Sequence, residues 1–532
     1  MKNNFFKIVS VALLLGATAA SCTKDLDRLP TNDVTSDVVY ATPLGYKQSL
    51  AKIYGSNALT GNSGPAGAAD VFYPGSDEGQ NADFYRTFWN AQELSTDEAV
   101  TAWGDPGLPD FHNMSTSPAN LFLHGVYYKS LYQVTLVNEF LRQATEDKLT
   151  SKGISGAEAD AIRQYRPEVR FLRAFQYWVL MDLFGNPPFV TEESLIGGPN
   201  PPQKSRAEVF AYVVSELKDI EASLPAPKTN EYGRADKAAA WALLARVYLN
   251  AEVYTGTAQW NEAATYAKKV IDAGYTLLPN YQHLMLADNG INNPEFIFTI
   301  NYDGTKTQGF GGTTFLIKGG IGGSMTSSNS GVNEAWAGHR TTKALVNKFV
   351  DPSGATDKRA QFYTNGQSLD IAAVSRFTDG YAVTKIRNVT KTGGPGSNIA
   401  FSDVDVPVFR LAEMYLIYAE AQKRGATGAD AGLALTYLNN IRQRAYGNTS
   451  GNIVANDITL DYIIDERARE LYWEGHRRTD LIRFNRFTEG TYLWPFKGGV
   501  ASGTSVSSFR KLYPIPSADM NANRNLIQNT GY

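Results

Sequence analysis

Apolar residues recur at intervals of three and four along several long stretches of the chain, the spacing that turns one side of an α-helix toward a core. The first stretch is Leu121–Gln143. The second covers residues 168–184, where Val169, Leu172, Ala174, Phe175, Trp178 and Val179 carry the pattern and Gly185-Asn186-Pro187-Pro188 ends it. A third covers residues 234–254, with alanines on one side, followed by a Gly-Thr turn and residues 260–273. The fourth pairs Leu411–Lys423 with residues 429–444 across a Gly-containing turn, and a last helix is predicted over residues 461–474. Antiparallel pairs with Ala, Leu and Tyr at the contact positions look like tetratricopeptide units, although no strict repeat is present.

Between the helices lie long Gly-, Ser- and Asn-rich segments, chiefly residues 61–118, 301–338 and 351–404. Loops of this length are functional or disordered, and their density of Trp, Tyr and Phe argues against disorder. The pattern therefore predicts a mainly α protein, one compact body with large irregular loops and no clear linker.

The chain opens with a charged, then apolar, then small-residue order, which reads as a secretory leader over residues 1–21. Its apolar run, residues 8–15, is far shorter than the roughly 20 residues a spanning helix needs. Cys22, the one cysteine, follows Ala19-Ala20-Ser21 and resembles an acylated lipobox cysteine. A buried free thiol is the competing reading, but a leader offers no core to enter. Acyl chains contribute about 0.8 kcal/mol per buried methylene, enough to hold residues 22–532 on a membrane without a span. The acidic run Thr23-Lys24-Asp25-Leu26-Asp27 resembles the surface-export signal of outer-membrane lipoproteins, which would face the body outward.

There are 50 Lys+Arg and 53 Asp+Glu; losing Lys2 and Lys7 with the leader leaves 48 against 53, a net charge of −5. Nucleic acid is excluded as a partner on this ground, since phosphate binding needs a concentrated basic surface. With 29 Tyr and 8 Trp, the composition suits a surface protein better than a cytosolic enzyme.

Sugar rings have an apolar C–H face and a polar rim, so a glycan site needs exposed flat aromatics beside planar polar side chains. Trp89, Trp103, Trp336 and Trp494 are predicted in loops, and Trp178, Trp241 and Trp473 on helical core faces. Any one loop Trp also reads as a packed anchor. Catalytic glycoside cleavage needs two facing carboxylates; Asp77-Glu78, Asp97-Glu98 and Asp403/Asp405 are the acid pairs, but such pairs arise by chance among so many acids. The five histidines, His112, His124, His283, His339 and His476, lack metal-site spacing. No Gly-x-Ser-x-Gly elbow occurs, and Gly319-Gly320-Ile321-Gly322-Gly323 lacks the lysine of a phosphate loop. Asp288 and Glu295 are the two acids suited to a structural calcium, with solvated surface acids as the plainer reading; no cofactor is otherwise expected.

Several runs resemble the SusD/RagB family of outer-membrane nutrient-binding lipoproteins. They are Arg170-Phe171-Leu172-Arg173-Ala174 with Asp182-Leu183-Phe184-Gly185, Gly233-Arg234-Ala235-Asp236-Lys237-Ala238-Ala239, and Val408-Phe409-Arg410-Leu411-Ala412-Glu413. Glu470-Leu471-Tyr472-Trp473-Glu474-Gly475-His476-Arg477-Arg478-Thr479-Asp480-Leu481 and the terminal Tyr513-Pro514-Ile515-Pro516 complete the set. Physically, Arg170, Arg173, Arg410, Arg477 and Arg478 read as structural ion-pairing residues. The resemblance implies a SusD-like fold, with an N-terminal part over 23–110 and a helical scaffold with binding loops over 120–532. It also implies a non-enzymatic role: binding oligo- or polysaccharide and delivering it to a SusC-like TonB-dependent barrel. Peptide capture by the same kind of protein is the alternative, and a surface glycosidase or a protein-only scaffold are weaker ones.

The loops also resemble those of the family's starch-binding members at Asp77-Glu78-Gly79, Phe84-Tyr85-Arg86-Thr87, Thr96-Asp97-Glu98, Gly311-Gly312 and Tyr492-Leu493-Trp494. That likeness implies Trp103 and Trp336 as stacking platforms, Arg86 and Asp77 as hydrogen-bond partners, and Phe310 as an apolar wall, with an α-glucan as the first ligand to consider. Three departures stand out. Thr101 replaces a second loop Trp, Phe310 replaces a Tyr, and Asp105-Pro106 falls where those members have a hydrogen-bonding Asn.

Overall fold

A computed structural model describes residues 35–65, 69–77 and 79–532. The predicted leader, Cys22, the 23–27 export run and Glu78 lie outside the described residues. The principal elements, in chain order, are α1 (Pro43–Gly55), α2 (Phe84–Glu93), β1 (Val100–Thr101), α3 (Leu121–Gln143), α4 (Gly156–Phe184), α5 (Arg206–Ile220), α6 (Lys237–Leu249) and α7 (Trp260–Asp272). They continue with β2 (Phe296–Ile300), α8 (Gly312–Gly319), β3 (His339–Arg340), β4 (Val406–Arg410), α9 (Leu411–Lys423), α10 (Ala431–Tyr446), α11 (Leu460–Leu471) and α12 (Arg477–Arg483). The mainly α class read from the sequence is what the chain adopts. Among the described residues no helix is long and apolar enough to cross a membrane.

The scaffold is a run of neighbouring helices: α3 on α4, α4 on α5, α6 on α7, α7 on α9 and α9 on α10. Along α6, Ala238, Ala239, Ala242 and Ala245 are fully buried, and their small side chains let the neighbouring axes approach closely. The Asp236 side chain caps α6 by accepting from the amides of Ala238 and Ala239, so this helix begins at Lys237 and not at Arg234. Helix α4 also begins earlier than the periodicity indicates. Pro167 reads as a boundary in sequence, but the helix runs through it from Gly156, with Phe171, Phe175 and Trp178 buried beyond it. Helix α11 stops at Leu471, and Trp473 follows in a left-handed turn (φ 66°) instead of on a helical face.

The long segments expected to be loops contain two buried helices, α2 and α8. Every residue of α2 is buried, its polar residues Arg86, Thr87, Asn90 and Glu93 as well as Phe84, Tyr85, Phe88 and Trp89 at helical spacing. The Asp83 side chain caps it by accepting from the Arg86 amide at 2.8 Å. Trp89 therefore sits in the core and not in a loop, its indole N–H donating to the Trp473 carbonyl at 3.1 Å. Trp494 is also buried, beside Met114, Leu481 and Phe487, with the Lys497 ammonium 4.4 Å from its ring.

Four of the five motif arginines form ion pairs. Arg170 and Arg173 share Glu216, Arg410 binds Glu295, Glu470 and Glu474, and Arg477 grips Asp97. Arg478 departs from this pattern. It donates to the carbonyls of Arg510 and Lys511 and lies 4.2 Å from the Tyr513 ring, fastening the C-terminal segment by backbone and π contacts. Glu295 has its two oxygens on Arg410 and Arg444, while Asp288 accepts from the Lys391 amide.

Candidate functional site

The sequence scatters Asp77, Arg86, Trp103, Phe310 and Trp336 over nearly half the chain, yet the fold gathers all five around one cavity of about 640 Å³. Ser76, Gly79, Gln80 and Asp105 complete its lining. Three separate devices bring the rings together.

The first is a two-residue antiparallel ladder. Strand β1 pairs with β3 so that Thr101 stands opposite His339. Beyond the ladder the Ala102 amide donates to the Gly338 carbonyl at 2.8 Å, and the Trp103 indole N–H donates to the Trp336 carbonyl at 2.9 Å. Gly338 is required here, because a β-carbon on it would sit 2.4 Å from the Trp103 ring. The other side of Trp103 meets His339 at 4.6 Å and Phe315 at 5.9 Å between ring centroids.

The second device pins Trp336. Its amide and those of Ala337 and Gly338 donate to the carbonyls of Lys318, Ile321 and Gly319, which tie the segment to the end of α8. The Trp336 indole N–H donates to the Glu334 carboxylate at 3.1 Å, and Lys318, paired with that same carboxylate, stands 5.3 Å from the Trp336 ring.

The third places Phe310. The loop entering α8 crosses the Asp83 carboxyl and the Tyr302 ring so closely that β-carbons on Gly311 and Gly312 would lie 2.0 and 2.3 Å from them. Two glycines are therefore needed, and Gly312 also has φ +54°. Phe310 then packs 6.2 Å from Trp336 and 5.7 Å from Phe401.

Arg86 joins the parts. Its Nη1 donates to the carbonyls of Gly79 at 2.6 Å and Phe310 at 3.1 Å, and its guanidinium lies 4.4 Å from the Phe315 ring. Burial lowers its pKa to about 10, partly offset by Asp83, Asp105 and Asp77. It is still a cation at neutral pH, with Nη1 committed to two loops and Nε without a hydrogen-bond partner. Asp77 accepts from the Gly79 amide at 2.8 Å and is otherwise exposed. The side chains of Asp105 and Gln80 have no hydrogen-bond partner among the described residues. Sequence reasoning noted Asp105 only as a lost amide and missed Gln80; the cue was its place beside the Asp77-Glu78-Gly79 run.

The three rings form an arc and not a shelf: Trp103 and Trp336 are tilted by 53° at 6.4 Å, and Phe310 and Trp336 by 57°. Of the acid pairs, Asp97-Glu98 and Asp405 are used elsewhere, while Asp77 lines the cavity. Asp97 is buried and bonded to Arg477 and the Tyr492 hydroxyl, Glu98 is buried and accepts from the Trp473 amide, and Asp405 accepts from the Tyr232 hydroxyl and the Tyr302 amide. Beneath the arc, His339 is fully buried with both ring nitrogens unpartnered, and burial holds its pKa well below the usual imidazole range. A more apolar cavity of about 290 Å³, beside Tyr54 and Tyr232, gathers none of the predicted residues.

Comparison with known proteins puts names beside this geometry. Residues 362–532 match the model described as SusD family, and residues 47–249 match the model described as starch-binding associating with outer membrane. The chain is 37% identical to the starch-binding protein SusD of Bacteroides thetaiotaomicron, with all of both chains covered. It is 24% identical to a SusD-like protein of Bacteroides ovatus, covering 92% of this chain and 83% of that one. Among solved structures, a SusD superfamily protein of Parabacteroides distasonis superposes with a TM-score of 0.71 at 22% identity, over 94% of this chain and all of the other. Surface glycan-binding protein A of Bacteroides thetaiotaomicron, solved in complex with laminarihexaose, gives 0.66 at 22% identity, over 91% and 98%. At these identities the structural likeness speaks for the fold.

Proposed function

The chain belongs to the SusD family, and from that premise we propose that it captures oligo- or polysaccharide at the cell surface and passes it to a SusC-like TonB-dependent barrel in the outer membrane. In this reading Cys22 holds the body to the outer membrane by its acyl chains, facing outward. The ligand lies against Trp103, Trp336 and Phe310, while Asp77, Arg86, Gln80 and Asp105 meet its hydroxyl rim.

The observation that carries the proposal is the meeting of three tilted rings, from three distant segments, around one cavity with a polar edge. Aromatic faces supply apolar contact to the C–H faces of sugars, and the planar polar groups fix orientation. Planes inclined by more than 50° favour a bent chain over a straight ribbon, since a ribbon cannot lie face-on against both. An α-glucan is bent in this way, and the 37% identical relative is named for binding starch. Thr101 supplies no ring where a further platform would extend the arc, so the arc holds a shorter stretch of such a chain.

Binding is favoured over cleavage because Asp97, Glu98 and Asp405 face internal partners, and a sugar-release assay tests the cavity's own carboxylates, Asp77 and Asp105. The test is affinity electrophoresis of the purified protein through gels of starch, fructan, xylan and mannan, with a reducing-sugar assay alongside. Retardation by a polysaccharide without sugar release supports the proposal. Retardation by none, with capture of peptides instead, would move the assignment to the peptide-binding alternative.

A further inference from the structure

Resting on the glycan reading above, we propose that this cavity also discriminates by charge, admitting neutral glycans and rejecting chains that carry uronate or sulfate groups, with Asp77 and Asp105 as the residues that reject them. The described lining carries three charged side chains, two carboxylates and one guanidinium. The single guanidinium is outnumbered by the two carboxylates and largely enclosed. Arg86 is 6% exposed, spends Nη1 on the carbonyls of Gly79 and Phe310, and lies against the Phe315 ring.

Among the described residues no second cation lines the cavity. Lys318, next to the Trp336 ring, is buried and paired with Glu334. The carboxylates, by contrast, are available. Asp105 has no side-chain hydrogen bond among the described residues, and Asp77 is exposed with one short bond to its own loop. Acceptor-only groups of this kind suit sugar hydroxyls, which can donate. A uronate or sulfate in the same place would meet like charge and lose hydration without gaining a partner. Repulsion between surface charges a few ångströms apart is worth about a factor of ten in affinity at low salt, and it weakens as the Debye length falls to about 3 Å at 1 M salt.

The experiment uses matched polymers that differ only in charge: starch and C6-oxidised starch, laminarin and C6-oxidised laminarin, pullulan and pullulan sulfate. Affinities of the wild type and of an Asp77→Asn/Asp105→Asn double variant are read for each pair at low and high salt. The expected result is about tenfold weaker binding of the charged form to the wild type at low salt. The ratio should narrow to within about threefold in high salt and in the double variant. Equal or tighter binding of the charged form to the wild type would overturn the inference, as would a ratio that the double variant leaves unchanged. Binding of no polymer, neutral or charged, would overturn the glycan reading itself and this inference with it, so the two failures are distinct.

Discussion

The indole N–H of Trp103 donates to the main-chain carbonyl of Trp336 at 2.9 Å, across 233 residues of sequence. One aromatic platform is thus hung from the backbone of the other, and the angle between them is set by a bond internal to the protein. Trp103→Phe keeps a ring but removes that donor. A net hydrogen bond is worth about 0.5–1.5 kcal/mol, so glycan affinity should fall by roughly three- to tenfold with the melting temperature nearly unchanged. Calorimetric titration beside thermal unfolding checks both.

Gly338→Ala tests the same platform from below. The new β-carbon would lie 2.4 Å from the Trp103 ring, so the ring must move or the backbone must shift. Overpacking of this kind costs about 1–3 kcal/mol. Binding should weaken more than in Trp103→Phe, and the unfolding midpoint in urea should fall.

Arg410 lies between the buried carboxylates of Glu295, Glu470 and Glu474. Arg410→Met would leave those acids without their shared cation. Breaking a buried ion pair from one side costs about 3–5 kcal/mol, so the variant should be expressed poorly or unfold at clearly lower denaturant. Arg410→Lys should rescue little, since one ammonium cannot reproduce the forked contacts to Glu474.

Glu98 and Glu93 are both buried next to the turn that carries Trp473. Burial pushes the Glu98 pKa up to about 8, with Asp97 adding to the rise and Arg477, the Trp473 amide and Lys385 opposing it. Burial and Glu98 push Glu93 the same way. A carboxyl with a raised folded-state pKa binds its proton more tightly when folded. Its stabilisation is therefore fully present below the unfolded value of about 4.3 and is lost as pH rises toward 8. Stability contributed by this pair should decline between about pH 4.5 and pH 8, and Glu98→Gln should flatten that decline. Urea unfolding at a series of pH values measures it.

How much of this was legible in the sequence depended on how long each periodic stretch runs. The amphipathic scaffold helices announced themselves by period, as at Leu121–Gln143 and Leu411–Lys423, which the structure reproduces residue for residue. Helix α2 carries the period too, in Phe84, Tyr85, Phe88 and Trp89, but it is only ten residues long inside a segment read as loop, and Trp89 was misplaced with it. The predicted site residues Asp77, Arg86, Trp103, Phe310 and Trp336 do converge on one cavity. Their convergence was implied by resemblance and not by local pattern, since the β1–β3 ladder is two residues long and carries no strand signal. Gln80 and the commitment of Arg86 to two carbonyls depend on loop crossings that no periodicity encodes.

The most direct test of the account is binding of the retained polysaccharide to wild type, Trp103→Ala and Trp336→Ala, measured by calorimetry on folded protein. The account predicts saturable binding by the wild type and a loss of at least about tenfold in each variant, as expected when an aromatic platform is removed from a site it dominates. Binding that survives both substitutions unchanged would contradict it and place the ligand elsewhere on the protein.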